Sequence, residues 1–97
     1  MYEASFKGAM HGGAGDNPPS PAVEGSNNVL INGKAALRVG DHFADGSAVA
    51  AGAPHVFING RPAARVGDPV SNGASVAQGS ATVSIGNGGG AVEAPHA

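Results

Sequence analysis

Valine and isoleucine flank a single residue in three short runs of this chain: Val29-Leu30-Ile31, Val56-Phe57-Ile58 and Val83-Ser84-Ile85. Side chains two apart share one face of a strand, so the Val and Ile of each run point one way and the middle residue points the other. The runs recur every 27 residues, and the spacing extends to their surroundings. Gly25, Gly52 and Gly79 align, as do Ser26, Ala53 and Ser80, and Ser47-Ala48-Val49-Ala50-Ala51 matches Ala74-Ser75-Val76-Ala77-Gln78. Asn32-Gly33 and Asn59-Gly60 follow the first two runs, and such pairs suit the two-residue type I′ turn, which needs φ > 0 at both central positions. Gly86-Asn87 carries the same two residues in reverse.

The pattern predicts repeated β-turn-β units over about 25–51, 52–78 and 79–90, with a tail over 88–97. Return strands run to Val39 and Val66, where Gly40-Asp41 and Gly67-Asp68 break them. Pro62 has no N–H to give to a ladder, which predicts an open edge on the second return strand. The third unit lacks a return-strand motif, so the symmetry is approximate. One hairpin cannot bury a core alone, but three around a common axis can. The expected fold is all-β, a single domain over 1–97 of three pseudo-threefold-related hairpin units with little or no helix.

Residues 1–24 do not fit the repeat. Tyr2 and Phe6 read as docking side chains, His11-Gly12-Gly13-Ala14-Gly15-Asp16 as a freely turning segment, and Asn17-Pro18-Pro19-Ser20-Pro21 as extended or turning chain.

Composition narrows the function more than the fold. Seventeen glycines and seven prolines in 97 residues argue against a helical bundle. A net charge of -2 with only five basic residues leaves no basic patch for nucleic acid. No apolar run approaches the ~20 residues a spanning helix needs. Met1-Tyr2-Glu3-Ala4 is unlike a signal peptide, and the absence of cysteine excludes disulfides and thiolate metal sites; both fit synthesis in the cytoplasm.

Arg61-Pro62-Ala63-Ala64-Arg65-Val66-Gly67-Asp68 contains a Pro-Ala-Ala-Arg string, preceded by Val56-Phe57-Ile58-Asn59-Gly60 and followed by Gly79-Ser80. These residues resemble the PAAR-repeat family. Lys34-Ala35-Ala36-Leu37-Arg38-Val39-Gly40-Asp41 is a degenerate copy, with Ala35 in place of proline and Leu37 in place of alanine. The likeness spans 25–88, about two-thirds of the chain. It implies a small conical protein that caps the trimeric β-helical spike of a contractile injection machine, either a phage tail baseplate or a type VI secretion system. One copy per trimer, transient contact with a target membrane and no stable homo-oligomer are implied with it. A chain of this length with no added domain reads as a bare tip.

The resemblance also implies an apical ion, because relatives hold zinc through histidines and a cysteine. Here His11, before a glycine pair, is the first candidate ligand and His42, after Gly40-Asp41, is the second; His96 and His55 rank behind them. Asn72 stands where the family's cysteine is expected. The histidines leave two readings open: an apex holding zinc or iron, and an apex that has lost its ion.

Asp41 and Asp68 read as turn caps rather than paired catalytic acids. Arg38 and Arg65 are placed to pair with them or to meet a spike subunit, the pairing being favoured. If the Val and Ile side chains fill the core, Leu30 and Phe57 are exposed and suit a spike interface. A metal-dependent hydrolase or lyase on the same scaffold is the competing function, but no residue stands out as its general base. A β-solenoid fragment that self-associates through open edges is a third reading.

Overall fold

The computed structural model describes residues 2–85; Met1, the Gly86-Asn87 pair and the tail with His96 lie outside the described residues. Six two-residue strands form three antiparallel pairs, and no helix occurs among the described residues. β2 (Leu30–Ile31) pairs with β3 (Lys34–Ala35), and β4 (Phe57–Ile58) pairs with β5 (Arg61–Pro62). Asn32 and Asn59 have φ of 51° and 55°, and Gly33 and Gly60 have 82° and 81°. Both turns therefore have the type I′ signs expected of Asn-Gly.

The third pair differs from the sequence reading. β6 (Ser84–Ile85) takes its partner from the other end of the chain, β1 (Tyr2–Glu3), with Tyr2 opposite Ile85 and Glu3 opposite Ser84. In the other pairs Arg61 lies opposite Ile58 and Lys34 opposite Ile31. Tyr2-Glu3-Ala4-Ser5-Phe6-Lys7-Gly8-Ala9 is thus the missing return segment, equivalent to Arg61–Asp68. The first residues belong to the repeat after all. They escape the 27-residue phase because the loop between His11 and Ser20 is five residues longer than its equivalents. The bonds His11 N–H to Ser20 O, Phe43 N–H to Ser47 O and Val70 N–H to Ala74 O mark those three loops.

Return segments stay on their own hairpin for only two residues and then cross to a neighbour. Ala4 bridges Arg65, Ala36 bridges Phe6 and Ala63 bridges Arg38, each between different units. At the next position the three units close a ring of backbone hydrogen bonds. Ser5 N–H donates to Ala64 O at 3.1 Å, Ala64 N–H to Leu37 O at 2.9 Å, and Leu37 N–H to Ser5 O at 3.1 Å. Pro62 fits here without loss. In a two-residue hairpin Phe57 and Pro62 form the pair without ladder bonds, and Pro62 O accepts from Val39 N–H at 2.9 Å.

The core has two layers, one on each side of this ring. Toward the hairpins lie Ile31, Ile58 and Ile85 with Ala4, Ala36 and Ala63; toward the opposite loops lie Leu37, Phe43, Val49, Val70 and Val76. Each buried isoleucine contributes roughly 1.5–3 kcal/mol. Small residues are needed where the units converge. A Cβ on Gly25 would lie 2.8 Å from Ala35 Cβ, one on Gly79 2.9 Å from Ala4 O, and one on Gly52 would meet Ala63 O. The period keeps glycine at these positions because a return segment crosses directly over them.

The lateral corners between units show why the copies diverged. Each joins one return segment to the next, with three chemistries at equivalent positions. Arg38 and Arg61 share Asp41, Arg65 lies 4.9 Å from the Tyr2 ring, and Lys34 Nζ lies 4.6 Å from the Phe6 ring. A salt-bridge triad and two cation–π contacts fill the same corner.

Two outcomes follow. Deleting residues 2–9 removes one side of the object, and circular dichroism with thermal melting should show no cooperative transition. Gly52→Ala should destabilise the fold by about 1–3 kcal/mol through overpacking, read from denaturant midpoints.

Candidate functional site

Each candidate residue sits on an element the repeat creates. Asp41 and Asp68 follow the glycines that end the return segments, and both are buried. Asp41 Oδ2 accepts the Arg38 N–H at 2.9 Å and Asp68 Oδ2 accepts the Arg65 N–H at 2.6 Å. The arginine side chains fold back on the same carboxylates, Nη2 to Oδ1 being 3.0 Å and 2.9 Å. Ala9, the third equivalent, has no carboxylate, and its unit carries Phe6 in place of arginine. These acids cap turns and hold arginines. Both do what the Gly-Asp pattern predicts of a turn cap.

Leu30 and Phe57 stand on the outer face of the hairpins, 61% and 59% exposed, while Ile31 and Ile58 beside them are buried. The equivalent position on the third side is Ser84, opposite Glu3. Polar bonds at the hairpin turns tie the units together. Asn59 Oδ1 accepts from Ser26 Oγ at 2.6 Å, and Asn59 Nδ2 donates to Asn28 Oδ1 at 2.9 Å. Asn32 makes the matching contacts with Ser80 and Thr82.

The histidines are dispersed. His55 is exposed at the entry to β4. His42 is exposed, and its Nδ1 lies 2.7 Å from Glu24 Oε1, which also accepts the His42 backbone N–H at 2.9 Å. Those bonds, the ring's first and the backbone's second, lower the Glu24 pKa. His11 is fully buried at the loop end, edge-on to Phe43 with ring centroids 4.9 Å apart. His11 Nδ1 accepts the Gly13 N–H at 3.0 Å, so Nε2 carries the proton it donates to Asp45 Oδ2 at 2.8 Å. The described residues do not fit the apical ion that the family resemblance implies. Both His11 ring nitrogens are engaged by protein groups, and the two positions equivalent to His11 are Phe43 and Val70. Among the described residues no group of three His, Cys, Asp or Glu side chains could hold a metal. His96 lies outside those residues.

Asp45 was not singled out from the sequence, although Asp45-Gly46 and Asn72-Gly73, 27 residues apart, are paired turn signals. In both, the side-chain oxygen accepts the backbone N–H two residues on, Ser47 at 2.9 Å and Ala74 at 3.0 Å. The Ser47 hydroxyl, the Ser47 N–H and the His11 ring, in that order, lower the Asp45 pKa from 3.8 to about 2.

Two hairpins and the β1–β6 pair around a pseudo-threefold axis, joined to a loop end, define a small all-β repeat protein. A family model for the PAAR motif matches residues 44–94, and the chain belongs to that family. PAAR-motif proteins are spike-tip components of contractile injection systems, found on phage tails or type VI spikes, and they associate with a spike protein in structural rather than enzymatic roles. No curated protein matches the chain.

The Asp45 bonds carry a pH signature. A carboxyl whose pKa is lower folded than unfolded stabilises the fold above the unfolded value, and that contribution is lost as pH falls through the folded one. The Asp45 carboxyl carbon, followed by NMR, should titrate near about 2. A midpoint at the ordinary aspartate value would show that the Ser47 and His11 bonds do not persist in solution.

Proposed function

We propose that this protein caps a trimeric β-helical spike, one copy per trimer, and acts as a membrane-piercing tip by shape and stiffness without turnover. The observation that carries this reading is the repeated outer face of the hairpins. Three equivalent β-pairs surround one axis, and on two of them an apolar side chain stands exposed at the same position, Leu30 and Phe57. A pseudo-threefold surface can meet three identical subunits with nearly equivalent contacts. Exposed apolar groups at matching positions suit burial against a partner. The third contact is polar, through Ser84 and Glu3, so the fit to a symmetric trimer is approximate. The protein is made in the cytoplasm and joins a phage baseplate or a type VI spike there.

Light scattering of the chain mixed with a trimeric spike fragment should give one chain per trimer, and the chain alone should be monomeric. Leu30→Glu and Phe57→Glu should each weaken the complex about tenfold or more, as expected for loss of a central apolar contact. Unchanged affinity in both variants would remove the assignment of the outer hairpin face. Absence of any complex would remove the capping role.

A further inference from the structure

We infer that the loop end of the molecule, which the family resemblance takes as the apex, is held together by the Asp45 carboxylate, an anionic hub that links its three loops. The three loops are equivalent by the repeat: His11 to Ser20, Phe43 to Ser47 and Val70 to Ala74. Each sends a donor to Asp45. His11 Nε2–H from the first loop donates to Oδ2 at 2.8 Å, the Ser47 N–H of the second donates to Oδ1 at 2.9 Å, and Asn72 Nδ2–H of the third reaches Oδ2 at 3.4 Å. The Ser47 hydroxyl adds a fourth donor to Oδ1.

The polarity of this arrangement is the reverse of a metal centre. A cation gathers lone pairs from its ligands, whereas Asp45 gathers N–H and O–H groups from all three loops. The rest of the site is built accordingly. His11 is fixed in the Nε2–H form by the Gly13 N–H on its other nitrogen, which makes it a donor toward the hub. Asn72 is oriented in the same way, because its oxygen accepts the Ala74 N–H and leaves the amide NH2 to face Asp45. Phe43 packs edge-on against the His11 ring where a second imidazole would stand in a threefold ligand set. Hydrogen bonds to a charged acceptor are stronger than neutral ones, and this carboxylate has donors on both oxygens. The apex should therefore hold its shape without an ion.

The test uses the full chain. Elemental analysis of the purified protein should find no stoichiometric zinc or iron, and a strong chelator should leave the melting temperature unchanged. Asp45→Ala should lower the melting temperature by about 5 °C or more and speed amide exchange at Gly13, Ser47 and Ala74. Asn72→Ala, a milder change, should speed exchange mainly in the third loop. In a double-mutant cycle His11→Ala and Asp45→Ala should cost less together than the sum of their separate costs. One equivalent of metal that disappears in His11→Ala, or a chelator-induced fall in melting temperature, would overturn the hub. So would additive costs in the cycle, or unchanged melting and exchange in Asp45→Ala. These readouts need no spike, so their failure is separate from any failure of the capping role.

Discussion

Three backbone hydrogen bonds, from Ser5 to Ala64, Ala64 to Leu37 and Leu37 to Ser5, hold the three sides of this molecule together. Each strand pair is only two residues long, too short to be stable as an isolated hairpin. The ring converts three such pairs into one object, because every unit donates to one neighbour and accepts from the other. Much else follows from the closeness it demands. Alanines 4, 36 and 63 lie beside it, Gly25, Gly52 and Gly79 make room for the crossing segments, and the larger side chains are displaced into layers on either side.

This constraint also explains which positions drifted and which did not. Where a return segment crosses close to a neighbouring unit, the copies keep glycine at Gly25, Gly52 and Gly79 and alanine at Ala4, Ala36 and Ala63. At the corners any pair that fills the space and satisfies its charges will serve, so Arg38, Asp41 and Arg61 in one corner are matched by Arg65 with Tyr2 and by Phe6 with Lys34 in the others. At the loop end a single carboxylate receives donors from three loops, while the equivalent acid of the third loop is an asparagine that serves as one of those donors. Symmetry of the backbone has been kept with side chains that are not symmetric.

The repeat made two sides of the molecule readable in advance. The period, the Asn-Gly turns, the inward isoleucines and the exposed Leu30 and Phe57 all come from local pattern, and local pattern is what the chain order displays. The third side was hidden for two physical reasons. Its return segment comes from the opposite end of the chain, and the longer first loop shifts it out of phase by five residues. Neither Glu3 nor Phe6 resembles the Pro62 and Arg65 they replace, because a corner accepts several chemistries. His11 stands out in the sequence by its residue type, but its partner does not. Asp45 acts through contacts to residues 34 positions before it and 27 after it, which no local pattern reveals.

The seam between β1 and β6 has a consequence for how the chain reaches this state. Tyr2–Glu3 pairs with Ser84–Ile85, more than eighty positions later in the chain, and the Ser5 hydroxyl donates to Gln78 O across 73 positions of sequence. The ring therefore cannot close before residues 84 and 85 have emerged. Until residue 85 is free, Tyr2 to Ser5 has no strand to join and the ring has only two of its three members. Contacts this distant in sequence make for slow folding. During that wait the unfinished chain exposes Ile31 and Ile58 together with two open edges, a state prone to association with its own kind. The same closure that makes the finished tip a continuous ring makes its assembly an all-or-none event that waits on the last of the three sides.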